Sequence, residues 1–126
     1  MSIYGIGTDI VTITRMAELY SRHGERALKK MLAAEEWPLC RQSADPARYL
    51  AKRFAAKEAL AKALGTGIRA PVLLSSIAVI NDALGKPTFR FSAQLAEYMQ
   101  ALELNAHLSL SDERDTAVAF VVLEQS

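Results

Sequence analysis

From Ile3 to Val11 the chain alternates in the period of two that marks a strand, with β-branched and aromatic residues set against small or polar ones. On that period Gly5, Gly7 and Asp9 share one face, and Tyr4, Ile6 and Ile10 share the other. The Asp9 face is therefore otherwise bare of side chains. The rhythm then lengthens. Ile13, Met16 and Tyr20 predict a helix over about 12–20, Gly24 breaks it, and Ala27, Leu28 and Met31 mark a second helical piece. A further short helix is expected over 35–42. Asp45-Pro46 is a helix start, an N-cap acceptor followed by proline in the first turn, and the helix it opens should run to Leu64 and stop at Gly65.

Short strands at 76–80 and 87–91 are joined through the polar turn Asn81-Asp82-Ala83-Leu84-Gly85-Lys86. Ser92 caps a helix to about Leu102, with Leu95, Met99 and Leu102 as its apolar stripe. The last strands, 107–111 and 116–124, form a hairpin across Asp112-Glu113-Arg114-Asp115. The final strand is apolar on both faces from Ala117 to Leu123, so it should be central and covered on both sides. Together these elements predict one α+β domain over residues 1–126: a small antiparallel sheet packed with one long buried helix and shorter helices.

The long helix departs from an ordinary amphipathic pattern. Leu50, Phe54, Ala61 and Leu64 form a stripe at 100° per residue, yet Lys57 falls inside it and Glu58 lies on its edge. A lysine there either snorkels past the core or sends its amine to a phosphate in a cleft. The opposite face carries Lys52, Ala56, Ala59 and Ala63, too few charges for a solvated surface, so the helix should be covered on both sides. Glu58 and Lys62 have the spacing of a surface ion pair, whereas Arg53 and Lys57 are like charges four apart that call for an anion.

Composition narrows the setting. The formal net charge is +1, which gives no overall field for a polyanion. No apolar run reaches the about 20 residues that span a bilayer. The strand-like start lacks a charged-then-apolar signal pattern. The single cysteine, Cys40, has no internal disulfide partner and reads as a core or interface filler. These features fit a soluble cytoplasmic protein. Two separated histidines and one cysteine do not supply a zinc site. The Ser-His spacing at His107, Ser109 and Ser111 has no third member, so a polar strand face lining a ligand groove is the better reading.

The chemistry points to Asp9 and Glu58. A carboxylate on a glycine-cleared strand and another on a lysine-flanked helix suit magnesium, which takes only one or two protein carboxylates and completes its shell with waters and phosphate oxygens. The glycines of Gly65-Thr66-Gly67 let backbone approach a ligand, but no Walker loop is present. Arg15, Arg22, Arg26, Lys29 and Lys30 outnumber Glu18 and Glu25 early in the chain, which makes either a solvated face or a local positive patch for an acidic partner.

Four segments in this order resemble the short bacterial 4′-phosphopantetheinyl transferases, the holo-[acyl-carrier-protein] synthases. They are Gly5-Ile6-Gly7-Thr8-Asp9-Ile10-Val11, Arg53-Phe54-Ala55-Ala56-Lys57-Glu58-Ala59 with Lys62 through Ile68, Asn81-Asp82 with Gly85-Lys86-Pro87, and His107-Leu108-Ser109-Leu110-Ser111 followed by Ala117-Val118-Ala119. The resemblance implies transfer of the phosphopantetheine arm of coenzyme A to a serine of apo acyl carrier protein, for fatty acid biosynthesis. It implies catalytic roles for Glu58, Asp9 and Lys62, with magnesium on Asp9 and Glu58. It puts coenzyme A against Arg53, Lys57, Lys62, Gly65, Gly67, Pro87, His107 and Ser109, and the carrier protein against Arg15, Arg22 and Arg26. It further implies a homotrimer with active sites between subunits, acting without nucleic acid or membrane. Two positions depart from the pattern: Asp112 stands where many relatives carry histidine, and Thr12 where many carry glutamate. A coenzyme A or carrier-protein binder without catalysis, and a phosphoanhydride hydrolase, are the competing readings.

Overall fold

The computed structural model describes all 126 residues, Met1–Ser126. Strand β1 spans Ser2–Thr12 and leads into α1, Ile13–His23. Gly24, at φ 54°, turns the chain into α2, Glu25–Met31. A 3₁₀ turn at Ala34–Glu36 precedes α3, Trp37–Gln42, and then α4, Pro46–Leu64. After a second 3₁₀ turn at Leu74–Ser76 come β2, Ile77–Asn81, and β3, Pro87–Phe91. The chain closes with α5, Ala93–Ala101, β4, Leu104–Glu113, and β5, Thr116–Gln125. No helix is long and apolar enough to cross a membrane.

The strands form two antiparallel sheets where the pattern suggested one. The larger has the order β1-β5-β4, and β2 and β3 form a separate hairpin. Asp82 builds the hairpin turn, its Oδ1 accepting from the Leu84 and Lys86 amides, with Gly85 at φ 86°. A bulge at Tyr4 interrupts the β1–β5 register between Ile3 and Gly5.

The long helix α4 forms where the sequence placed it. Asp45 Oδ1 accepts from the Arg48 amide at 3.1 Å, Pro46 opens the first turn, and no β-branched residue interrupts the run to Leu64. Gly65 ends it at φ 79°, a left-handed position that a side chain strains.

The bare face of β1 is the seat of this helix. A Cβ at Gly5 would lie 2.0 Å from the Ala63 carbonyl oxygen, and one at Gly7 would lie 2.0 Å from that of Ala59. Two strand residues advance about 6.6 Å and four helix residues about 6 Å, so successive glycines meet successive turns. The next residue on that face is Asp9. The glycines thus clear room for backbone, and in doing so press the carboxylate-bearing strand against the carboxylate-bearing helix.

Around α4 the core gathers Met16, Leu28, Leu50, Leu60, Val72, Ile77, Leu95 and Leu123, all buried, and Cys40 fills it as expected. β5 is central, but only one of its faces is covered. Ala117, Ala119, Val121 and Leu123 pack inward, while Val118 and Phe120 remain exposed beside Ile6 and Ile10 of β1. The two-sided apolar strand was expected to be covered twice, and α4 covers only the inner side.

Candidate active site

Asp9 sits on the inner face of the edge strand β1, half-buried, and meets the C-terminal half of α4 there. Lys62 Nζ lies 3.2 Å from Asp9 Oδ1 and donates to the Thr8 carbonyl at 2.9 Å. Lys62 therefore pairs with Asp9 and not with Glu58, the partner its spacing suggested. Thr8, Asp9, Ile10, Lys62 and Val118 line a concavity of about 210 Å³ that wraps the edge of β1. Glu58, one turn before Lys62, is only partly exposed. Burial pushes its carboxyl up, the neighbouring Asp9 carboxylate adds to the rise, and Lys62 opposes it.

Two carboxylates close enough to disturb each other, with one exposed lysine between them and bulk water, are a site short of positive charge. No three His, Cys, Asp or Glu side chains gather into an all-protein cage. The donor set fits a hard divalent ion that keeps open positions for waters and phosphate oxygens, as magnesium does.

A second concavity, of about 370 Å³, lies across α1 and α2. Met16, Leu19, Met31, Phe54 and Leu74 form its apolar lining, and Arg15, His23, Arg26 and Lys30 stand with them around it. A family model described as the 4′-phosphopantetheinyl transferase superfamily matches residues 5–121 of this chain. The chain belongs to that superfamily. It is 56% identical to a holo-[acyl-carrier-protein] synthase from Azoarcus sp. (strain BH72), over 97% of this chain and 98% of the relative. The crystal structure of the holo-[acyl-carrier-protein] synthase from Neisseria meningitidis superposes with a TM-score of 0.94 at 47% identity, covering 98% of this chain and 99% of that one. A synthase from Bacillus anthracis in complex with CoA (3′,5′-ADP) gives a TM-score of 0.83 at 35% identity, covering all of both chains. These matches confirm the phosphopantetheinyl transferase fold.

Of the residues that the superfamily resemblance nominated, one chain brings together Asp9, Glu58 and Lys62. Gly65 and Gly67 follow α4 in left-handed turns, at φ 79° and 67°. His107 and Ser109 are exposed on the outer face of the β1-β5-β4 sheet, cross-strand from Val122 and Phe120, on the side opposite Asp9. His107 Nε2 lies 2.6 Å from Glu124 Oε1, a partner that no sequence pattern announced. Pro87 opens β3 in the separate hairpin.

Lys57 is a correction. It neither snorkels nor reaches toward a cleft: it is 0% exposed, and its ammonium is held by Glu36 Oε1 at 2.6 Å and by the Met31 and Leu74 carbonyls at 2.8 and 3.0 Å. With three donors and three acceptors, the group has nothing left for a phosphate. Arg53 is also buried, at 6% exposure. Its guanidinium stacks 4.1 Å from the Tyr49 ring, and its Nε lacks a partner. Arg15 and Arg26 line the larger concavity, whereas Arg22 faces a neighbouring one with Thr14, Ala17, Glu18 and Ser21. Asp112 is held low by the Arg48 guanidinium, 2.8 Å away, with Lys52 at 3.4 Å.

Proposed function

We propose that this chain is a holo-[acyl-carrier-protein] synthase: it moves the 4′-phosphopantetheine group of coenzyme A onto a serine of apo acyl carrier protein, releases adenosine 3′,5′-bisphosphate, and serves fatty acid biosynthesis. The observation that carries the reading is the Asp9–Lys62 pair beside Glu58 at the edge of β1, in a chain 56% identical to a synthase of that name.

The serine Oγ attacks the pantetheine-side phosphorus of the anhydride. An O–P bond forms, the bond to the nucleotide phosphate breaks, and the hydroxyl proton leaves with a base. Glu58 is the base we assign, because it is the carboxylate on α4 beside the Asp9–Lys62 pair. Lys62, already beside a carboxylate at the concavity, sets positive charge where the leaving phosphate gathers negative charge. Asp9 and Glu58 would hold a magnesium ion, which when bound neutralises the two phosphates of the anhydride. The acceptor hydroxyl comes from the partner, so the enzyme needs positioning and no nucleophile of its own.

The carrier protein docks at the concavity between α1 and α2, whose apolar lining and cationic side chains suit an acidic partner. The working unit is a homotrimer with its site shared between copies. Two observations support this: the exposed row of Ile6, Ile10, Val118 and Phe120, and the placement of His107 and Ser109 on the opposite sheet face from Asp9.

The test is the intact mass of apo acyl carrier protein after incubation with this protein, coenzyme A and magnesium, with EDTA as control. A gain of one phosphopantetheine arm, absent with EDTA, is expected. Coenzyme A cleavage without transfer would replace the proposal with a hydrolase, and binding without cleavage would replace it with a silent binder.

A further inference from the structure

The buried Lys57–Glu36 pair is the ion pair of the core, and the proposed chemistry does not use it. Both side chains are fully buried. Glu36 Oε1 accepts from the Ala33 amide at 2.9 Å as well as from Lys57, and its Oε2 accepts from the Val79 amide at 2.9 Å. Lys57 in turn donates to the carbonyls of Met31, at the end of α2, and Leu74, in the second 3₁₀ turn. One ion pair thus joins α2, both 3₁₀ turns, β2 and α4.

Two of these joined residues line the docking concavity. They are Met31 and Leu74, and each gives its carbonyl to the Lys57 ammonium. Phe54, three residues before Lys57 and therefore on the same side of α4, lines the same concavity. Glu58 is the next residue along the chain. A buried ion pair is a poor source of net stability, because desolvation offsets the attraction, and its best-attested use is to fix one arrangement among several. Here the arrangement fixed is that of the concavity wall relative to the helix that carries Glu58.

We propose that Lys57 and Glu36 are positioning residues for the carrier-protein groove: they hold Met31 and Leu74 at a set distance from α4, so that a docked partner presents its serine to Glu58. This rests on the proposed docking site. Both side chains are fully buried, so the pair acts through the groove wall and not by contact with the reacting atoms.

The experiment uses the double variant Lys57→Met/Glu36→Gln, which removes both charges together and leaves neither one stranded. Glu36→Asp, which keeps both charges and shortens the link by one methylene, takes its place if the double variant does not fold. In the transfer assay the expected result is a rise of about tenfold or more in KM for apo carrier protein, with KM for coenzyme A within about twofold of wild type. Faster amide hydrogen exchange is expected in residues 28–33 and 72–76. Equal rises in the two KM values would overturn the proposal, because they would mean a general loss of structure or a direct contact with coenzyme A. Unchanged exchange in those two segments would overturn it as well. Arg15→Glu tests the docking site by itself. If that variant uses the carrier protein normally, the groove is not the docking surface, and the exchange rates alone decide whether the pair holds its walls.

Discussion

Replacing Gly7 with alanine tests whether the seat of α4 on β1 is also what assembles the site. The new Cβ would stand 2.0 Å from the Ala59 carbonyl oxygen and 2.8 Å from the Ala63 amide nitrogen. Ordinary contact begins at 3.4 Å, so the helix and strand must part by about 1.4 Å. Both opposing atoms are backbone, which cannot swing aside as a side chain does. Overpacking of this kind costs about 1–3 kcal/mol, and a backbone-on-backbone clash belongs at the upper end. In a domain of this size 3 kcal/mol lowers Tm by roughly 12 °C. The same displacement moves Asp9 away from Glu58 and Lys62, and a misplacement of about 1 Å costs on the order of 100-fold in rate. Thermal unfolding followed by circular dichroism measures the first effect. Transfer to apo carrier protein, assayed by intact mass at a temperature where the variant is folded, measures the second. A folded Gly7→Ala protein with wild-type turnover would refute the link between seat and site, whatever its Tm.

Asp9→Asn and Glu58→Gln should each lower magnesium-dependent transfer by at least about 100-fold, in line with the loss of a preorganised electrostatic group. Magnesium at 100 times its dissociation constant should stabilise the wild type by about 2.7 kcal/mol in thermal unfolding and leave both variants unmoved. An undiminished magnesium shift in Asp9→Asn would remove that residue from the metal site. Asp112 gives a pH prediction. Its folded carboxyl is held below the ordinary value of 3.8 by Arg48, so its stabilisation is present above that value and is lost as pH falls through the depressed one. Asp112→Asn should therefore lose a small, salt-sensitive part of its stability at neutral pH and match the wild type in strong acid. Equal destabilisation at both pH values would contradict the assignment.

Local chemistry made much of the fold legible. The N-cap at Asp45, the stop at Gly65, the break at Gly24 and the hairpin turn around Asp82 each depend on a few adjacent residues, and each stands where its signal placed it. The bare face of β1 was legible too, but its cause was not, because an empty strand face does not say whether a ligand or a helix fills it. Lys57 was conspicuous as a charge within an apolar stripe. Its partner was not: Glu36 lies 21 residues earlier, in an acidic pair that looks like any solvated helix start. Likewise, nothing local shows that His107 and Asp9 lie on opposite sides of one sheet. That follows from register: Asp9 pairs with Ala119 and His107 with Val122, three residues apart on β5 and so on opposite faces.

The near-complete burial of α4 bears on how the chain tolerates mutation. A scan along a surface helix shows a rhythm of 3.6 residues as substitutions alternate between core and solvent. From Leu50 to Leu64 this helix has one fully exposed position, Lys62, and only Lys52, Phe54 and Glu58 between the extremes. Selection for folding alone should therefore give an almost unbroken band of intolerance that opens at Lys62. Selection for activity should close that gap. The difference between the two profiles separates, within a single helix, residues kept for chemistry from those kept for packing.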